Sequence, residues 1–311
     1  MNVLSLFDGM SCGQIALNKV GIKYENYFSS EIDEPAIKVT QHNYPKTIQL
    51  GDVTKIKVEN LPKINLLIGG SPCQGFSYAG KQLNFDDERS KLFFEYVRIL
   101  KDVKPKYFFL ENVKMKKEYE DVITSYLGVK PIKLNSELVS AQSRQRIYWT
   151  NIPYTEAPQR KNIFVKDIIE TDEKLIPDFL FINMEKTEYV ALDEHKSKVG
   201  LNCIGGIKSD NVKLWDAKNP KILQRNFSQG ARVYSIEGKG CTLNALGGGW
   251  GAKTGLYMVN GRIRKLSLGE CERMQTVPNG YLKNLTTQQG WKLLGNGWTV
   301  DIIAHFFKNL L

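Results

Sequence analysis

The first half of the chain alternates short apolar runs with amphipathic segments, and this alternation constrains the fold more than any other feature. Val3 to Phe7 reads as a strand, Asp8-Gly9 as a turn, and the helix that follows ends near Gly21. Tyr24 to Ser30 reads as a second strand. Pro35 stands where the first turn of a helix tolerates proline, and that helix runs toward Tyr44. Ile64 to Ile68 and Tyr107 to Leu110 are further strands. Between them, Arg89 to Asp102 puts Leu92, Phe93, Tyr96, Ile99 and Leu100 on one helical face. Strand, helix, strand, repeated, predicts an α/β chain with a doubly wound, mostly parallel sheet. In such sheets ligands bind beyond the carboxyl ends of the strands, so the loops there hold the candidate site.

Beyond about Pro153 the periodicity breaks down into charged, Gly- and Asn-rich sequence with short strand-like pieces, until roughly Leu285. Helical periodicity returns from Trp298 to Leu311 through Val300, Ile303, Phe306 and Phe307. The expected organisation is a catalytic domain of residues 1–153 and 286–311, with residues 154–285 forming a smaller, β-rich domain.

Composition narrows the function classes. The longest apolar runs fall far short of a membrane span. The chain starts without a basic leader, and Asp8 interrupts the first apolar run, so a cytoplasmic protein is expected. Five cysteines suit free thiols better than a disulfide framework. The excess of 43 Lys+Arg over 33 Asp+Glu, net +10, favours encounter with a polyanion, although many basic proteins bind no nucleic acid.

The first loop is FDGMSCG, Phe7 to Gly13. Gly9 can take the angles of a tight turn and Gly13 permits close approach of the next helix, but the spacing is not the dinucleotide fingerprint. Glu31, past the second strand, can accept from ribose hydroxyls, and Asp52 can accept from an adenine amino group. Together they describe an adenosine site without a phosphate cradle; a plain turn with surface carboxylates is the alternative. Cys73 lies in GGSPCQGFS directly after a strand, as a nucleophile or as an incidental loop cysteine. Glu111, in FFLENV, reaches the same edge. It could donate a proton to a ring nitrogen, or stabilise a helix N-terminus. Gln142, Arg144 and Arg146 alternate, which puts them on one side of an extended segment as a pocket wall or a solvated face.

These motifs, in this order, resemble the cytosine-5 DNA methyltransferases across essentially the whole chain. FDGMSCG is similar to their cofactor loop, SPCQGFS to their nucleophile loop, ENV to their carboxylate motif and QSRQR to their Gln-x-Arg-x-Arg motif. GNGWTV, Gly295 to Val300, is similar to their C-terminal cofactor motif. Ser11 and Cys12 depart from the double glycine of many bacterial members. FDGMSCG is closer to the eukaryotic de novo enzymes, whereas SPCQGFS is of the bacterial or phage kind.

The resemblance implies a class I S-adenosylmethionine-dependent methyltransferase fold with a target-recognition domain, S-adenosylmethionine as donor, no metal, and double-stranded DNA as partner. The short apolar runs predict no membrane association, the absence of a long hydrophobic seam makes a monomer the default, and a restriction endonuclease, where one exists, would act independently. Catalysis would fall to Cys73, Glu111, Arg144, Arg146 and Gln142. The cofactor would touch Phe7, Asp8, Gly9, Gly13, Glu31, Ile32, Asp52, Val53, Pro72, Leu92, Asn296 and Trp298. Gln229, Arg232, Thr242, Gly248, Gly249 and Ser77 would contact DNA; tight turns explain the two glycines about as well. The composition of Tyr78 to Arg89 is that of a mobile lid.

Overall fold

In the computed structural model, residues 1–72, 88–197, 200–208 and 227–310 are described. The chain forms two compact units. The first comprises 1–135, 145–158 and 300–311; the second comprises 136–144 and 159–299.

The first unit is built on a seven-stranded sheet. Its strands are β1 (Asn2–Leu6), β2 (Asn26–Ser30), β3 (Ile48–Gln49), β4 (Leu66–Gly69), β5 (Tyr107–Val113), β6 (Ile132–Asn135) and β7 (Gln145–Thr150). They lie in the order β3-β2-β1-β4-β5-β7-β6, with β7 antiparallel to both neighbours and the other pairings parallel. The central strands are fully buried, which explains why they read as continuous apolar runs rather than alternating ones.

Both faces are covered. Leu4, Leu6, Leu67, Leu110, Ile147 and Trp149 share a core with Phe93, Tyr96 and Ile99 of helix α3 (Glu88–Val103) and Ile123 and Leu127 of α4 (Lys117–Leu127). On the other face Phe109 and Tyr148 pack edge-on or tilted against Phe306, with ring centroids 5.2 Å from it. Phe306 belongs to the last helix, Val300–Phe307, which packs on α1 (Cys12–Lys19) and is tied to it by the Lys19–Asp301 ion pair. Every apolar position expected on this helix is fully buried. Helix α2 (Glu34–Asn43) completes the β2–β3 crossover, with Pro35 in its first turn.

The second unit holds a five-stranded sheet, β12-β11-β10-β9-β8, of β8 (Glu188–Lys196), β9 (Asn202–Lys208), β10 (Arg232–Ser235), β11 (Leu256–Val259) and β12 (Arg262–Arg264). Only β10 and β11 pair in parallel. Helices α5 (Leu268–Met274) and α6 (Thr287–Asn296) pack on each other in this unit, each opened by a capping box, Ser267/Glu270 and Thr286/Gln289. The final helix of the first unit is therefore α7. The division differs from the expected one at both ends. Residues 286–299 stay with the second unit, because α6 buries Trp291, Leu293 and Leu294 there, and 136–144 join it as well.

Cys12, Cys203, Cys241 and Cys271 are buried and in no disulfide. Among the described residues no helix is long and apolar enough to cross a membrane, and no group of three metal-ligating side chains occurs.

Candidate active site

At the carboxyl end of β1 the backbone turns through three left-handed positions, Phe7 (φ 56), Gly9 (φ 58) and Ser11 (φ 63). Glycine relieves the strain at one of them only. Ser11 stands in a conformation that favours glycine, and its hydroxyl accepts from Gln14 Nε2 at 2.8 Å. A Cβ on Gly13 would lie 2.3 Å from Ile68 Cδ1 and 2.8 Å from Tyr27 Oη, so α1 can approach the sheet this closely only at a glycine.

Asp8 faces back toward β2, where Tyr27 Oη and Ser29 Oγ donate to its carboxylate at 2.8 and 2.9 Å. Desolvation pushes its pKa up to about 6, against the pull of these hydroxyls. Between the unfolded value of 3.8 and about 6 the native chain therefore binds the proton the unfolded chain has lost, so stability falls as pH rises through that window. Asp8→Asn removes the titration: relative to wild type the variant should gain about 2 kcal/mol between pH 4 and pH 7. Urea melts at the two pH values measure this, and a pH-independent difference would refute it.

Glu31, just past β2, is locked by three backbone amides. Oε2 accepts from Gly9 at 2.7 Å, and Oε1 accepts from Ile32 and Asp33 at 2.8 Å each. The neighbouring Ile32 is 73% exposed, unusual for so large an apolar side chain. Asp52 accepts from the amide and hydroxyl of Thr54, hydrogen bonds that hold its pKa below the ordinary carboxylate value. Val53 buries its side chain in the core, and the partly buried Phe7 and Leu92 pack against that core. The stretches 7–13, 31–33, 51–53 and 69–72 contain no Lys or Arg.

The parallel register carries β4 alongside β5, Gly69 opposite Leu110. One step further, Asn112 Nδ2 donates to the backbone carbonyl and hydroxyl of Ser71, both at 3.4 Å. The loop beginning SPC thus leaves the sheet beside Glu111. Pro72 is its last described residue; Cys73, Ser77 and nearly all of the expected lid, 78–89, lie outside the described residues. Glu111 is 7% exposed and forms an ion pair with Arg146 on the adjacent strand β7, Nε to Oε1 2.8 Å. Arg146 also donates from Nη1 to the Gln145 carbonyl.

Of the three alternating residues, only Arg146 lies on β7, which begins at Gln145. Gln142 and Arg144 precede it in the second unit and are almost completely buried. Gln142 donates to Gln275 Oε1 at 3.0 Å and accepts from the Leu243 amide at 2.8 Å. Arg144 donates to the carbonyls of Leu243, Gly295 and Gly297, each at 2.9 Å. Their hydrogen bonds make them braces within their own unit.

Also in the second unit, Gln229 opens a short 3-10 turn before β10, and Arg232 Nε donates to the Phe227 carbonyl at 3.3 Å. Thr242 donates to the Ser143 carbonyl at 2.6 Å. A Cβ on Gly248 or Gly249 would meet nothing within 4 Å. Asn296 ends α6, and Trp298 follows it. Three features escaped the sequence reading: the Tyr27 and Ser29 hydroxyls on Asp8, the buried Gln275 that Gln142 grips, and Lys239, whose ammonium donates to the carbonyls of Glu137, Ser140 and Ile163. Tyr27 and Ser29 alternate in YFSS, a signal that could have paired them.

The Glu111–Arg146 pair and Ser71, where the chain leaves β4, thus stand together at one edge of the sheet. Residues 1–311 match the family described as C-5 cytosine-specific DNA methylase. The chain belongs to that family. As a member it is a DNA (cytosine-5-)-methyltransferase. The methylase is 30% identical over 332 residues to the type II methyltransferase M.HhaI of Haemophilus parahaemolyticus, an alignment covering 100% of this chain and 94% of that one. It is 32% identical over 340 residues to the orphan methyltransferase M.Rho11sI of Bacillus phage rho11s, covering 92% of this chain and 67% of the phage enzyme. Among solved structures, the Entamoeba histolytica methyltransferase EhMeth superposes with a TM-score of 0.72 at 17% identity, covering 100% of this methylase and 99% of that chain; at such identity the likeness concerns the fold alone.

Proposed function

We propose that this methylase transfers a methyl group from S-adenosylmethionine to carbon 5 of a cytosine in a short duplex DNA sequence, after flipping the base and attacking it with Cys73. The observation that carries the reading is the Glu111–Arg146 pair beside the start of the SPC loop, at the carboxyl edge of β4 and β5.

The cofactor side supports it. Glu31 is oriented by three amides as a hydroxyl acceptor for a ribose, Ile32 offers an apolar surface to an adenine, and Asp52 an acceptor for its amino group. Loops that lack Lys and Arg but hold Asp8, Glu31, Asp33 and Asp52 would repel a pyrophosphate and suit a neutral adenosine with a cationic sulfonium. When bound, S-adenosylmethionine supplies the electrophilic methyl group.

The residues of the chain do the rest. Cytosine carbon 5 is a poor nucleophile until carbon 6 is attacked, so the Cys73 thiolate adds at carbon 6. Glu111, held in place by Arg146, engages ring nitrogen 3 and the electron density that arrives there. Carbon 5 then becomes nucleophilic; after it is methylated its proton passes to a water molecule, the electron pair left behind expels Cys73 as the thiolate, the nitrogen 3 proton returns to Glu111 and the ring is restored. Flipping costs a few kcal/mol, offset by contacts to the extruded base. Arg146 is the arginine of the motif that stands beside Glu111; Gln142 and Arg144 brace the second unit. No step calls for a metal or a second subunit, so a monomer is the expected working form.

Glu111→Gln keeps shape and hydrogen bonding but loses the charge and the transferable proton. A drop in kcat of about 10²–10³ with duplex affinity retained is expected from single-turnover kinetics; an unchanged kcat would remove Glu111 from the chemistry. The reading as a whole is tested by labelled methyl transfer to unmethylated genomic DNA, with bisulfite sequencing of the product. Label at cytosines within one short motif supports it. Label on tRNA and not on DNA, or on neither, overturns it.

A further inference from the structure

The second unit carries a cleft of about 230 Å³, lined by Trp250, Lys253, Lys265, Gln288 and Trp291, with Gly248 of the GGG segment at its rim. Its described lining contains two lysines and no carboxylate. Lys253 is already anchored, donating to Gln288 Oε1 at 2.9 Å. Lys265 has neither an ion pair nor a side-chain hydrogen bond among the described residues, yet it is partly withdrawn from water, and this desolvation pulls its pKa below the usual lysine value. A half-desolvated ammonium without a counter-charge is unfavourable in the free protein, and an anion entering the cleft would relieve it. The volume is smaller than that of pockets for drug-sized ligands and suits a compact group.

The rim is open to an approaching strand. Gly248 is exposed, lies outside the left-handed region that demands glycine, and has nothing within 4 Å of where a Cβ would stand. Folding therefore does not call for glycine there, and its absent side chain leaves room for another molecule to approach closely. The flanking Gly247 (φ 122) and Gly249 (φ 96) are different, since their backbone angles themselves exclude a side chain.

We propose that this cleft seats one backbone phosphate of the duplex, with Lys265 as its principal cation, Lys253 and the Gln288 amide beside it, and Gly248 letting the sugar–phosphate strand lie against the rim. This rests on the reading of the chain as a DNA methylase and adds to it a contact that positions the duplex without reading its sequence. Charge complementarity commits the cleft to a phosphodiester and not to a base. A base pocket would be expected to offer acceptors as well as donors, and to discriminate between sequences.

The test is duplex binding by full-length protein, followed by fluorescence anisotropy across 50–300 mM salt, on a substrate duplex and on a duplex of scrambled sequence. Lys265→Gln should weaken both about tenfold at 0.1 M salt and reduce the slope of log K against log salt by about 0.9, the value for one phosphate. Lys265→Arg should keep the slope. Gly248→Ala should leave the thermal midpoint unchanged and still weaken binding. Were Lys265→Gln to leave the slope unaltered while wild type binds and methylates DNA, the cleft proposal would fail alone. A loss confined to one sequence would also overturn it, by making the contact a base contact. Wild type that bound no duplex at all would sink both this proposal and the functional reading beneath it.

Discussion

Cys73→Ala is expected to reduce methyl transfer by about 10⁴–10⁶-fold, the range seen when a covalent nucleophile is removed, while sequence-specific duplex binding persists. The expectation rests on the chemistry of the ring. An isolated cytosine has too little electron density at carbon 5 to displace a sulfonium, and positioning alone cannot supply it. Only addition at carbon 6, with Glu111 engaging nitrogen 3, converts carbon 5 into a nucleophile. The duplex contacts do not depend on the thiol, so Kd should change little. A duplex with 5-fluorocytosine at the target position separates the step from the rest of the machinery. Fluorine cannot leave as a proton does, so wild type should stall as an adduct that survives denaturation, and Cys73→Ala should give none. Residual turnover within tenfold of wild type, or an adduct in the variant, would show that the bond forms elsewhere.

How much of this was legible beforehand depended on whether a feature is local. β1, β2, β4 and β5 are found almost where their apolar runs lie, because strands buried on both faces write themselves as continuous hydrophobic sequence. The insertion of antiparallel β7 between β5 and β6 could not be read, since strand order is a long-range choice that leaves no mark in the strand itself. Helix α6 shows the same limit from the other side. Residues 286–299 were grouped with the C-terminal helix, but a helix's sequence does not say which core it joins, and Trp291 and Leu294 join the second unit's. In the site, the carboxylate of Glu31 was visible, but not the amides that aim it. Asp8 was read as a loop residue, yet the two hydroxyls that hold it come from β2, some twenty positions away. The Gln-x-Arg-x-Arg spacing suggested one continuous strand, whereas β7 starts only at Gln145, so Gln142 and Arg144 lie outside it, buried in the second unit, and only Arg146 lies on it.

That division yields the second large prediction. Arg144→Met should destabilise the second unit by about 3 kcal/mol or more, a large share of the roughly 5–15 kcal/mol that holds a domain folded. The guanidinium clamps three carbonyls, from Leu243, Gly295 and Gly297, in a residue only 2% exposed. Methionine fills most of the volume and leaves the Leu243 and Gly295 carbonyls without this donor, at about 1–3 kcal/mol each, less what is recovered by no longer burying a charge; Gly297 keeps Gln275 Nε2 at 3.0 Å. Arg144→Lys separates charge from geometry: a single ammonium cannot span acceptors a planar fork reaches, so it should restore only part of the loss. Urea unfolding followed by tryptophan emission reads this directly, because Trp250, Trp291 and Trp298 all lie in the second unit. A residue that held the target base would behave in the opposite way, costing kcat at unchanged stability. If Arg144→Met melts like wild type but turns over poorly, the brace assigned here is wrong and Arg144 belongs with Arg146 at the base; if it melts early, the motif's middle arginine serves the fold.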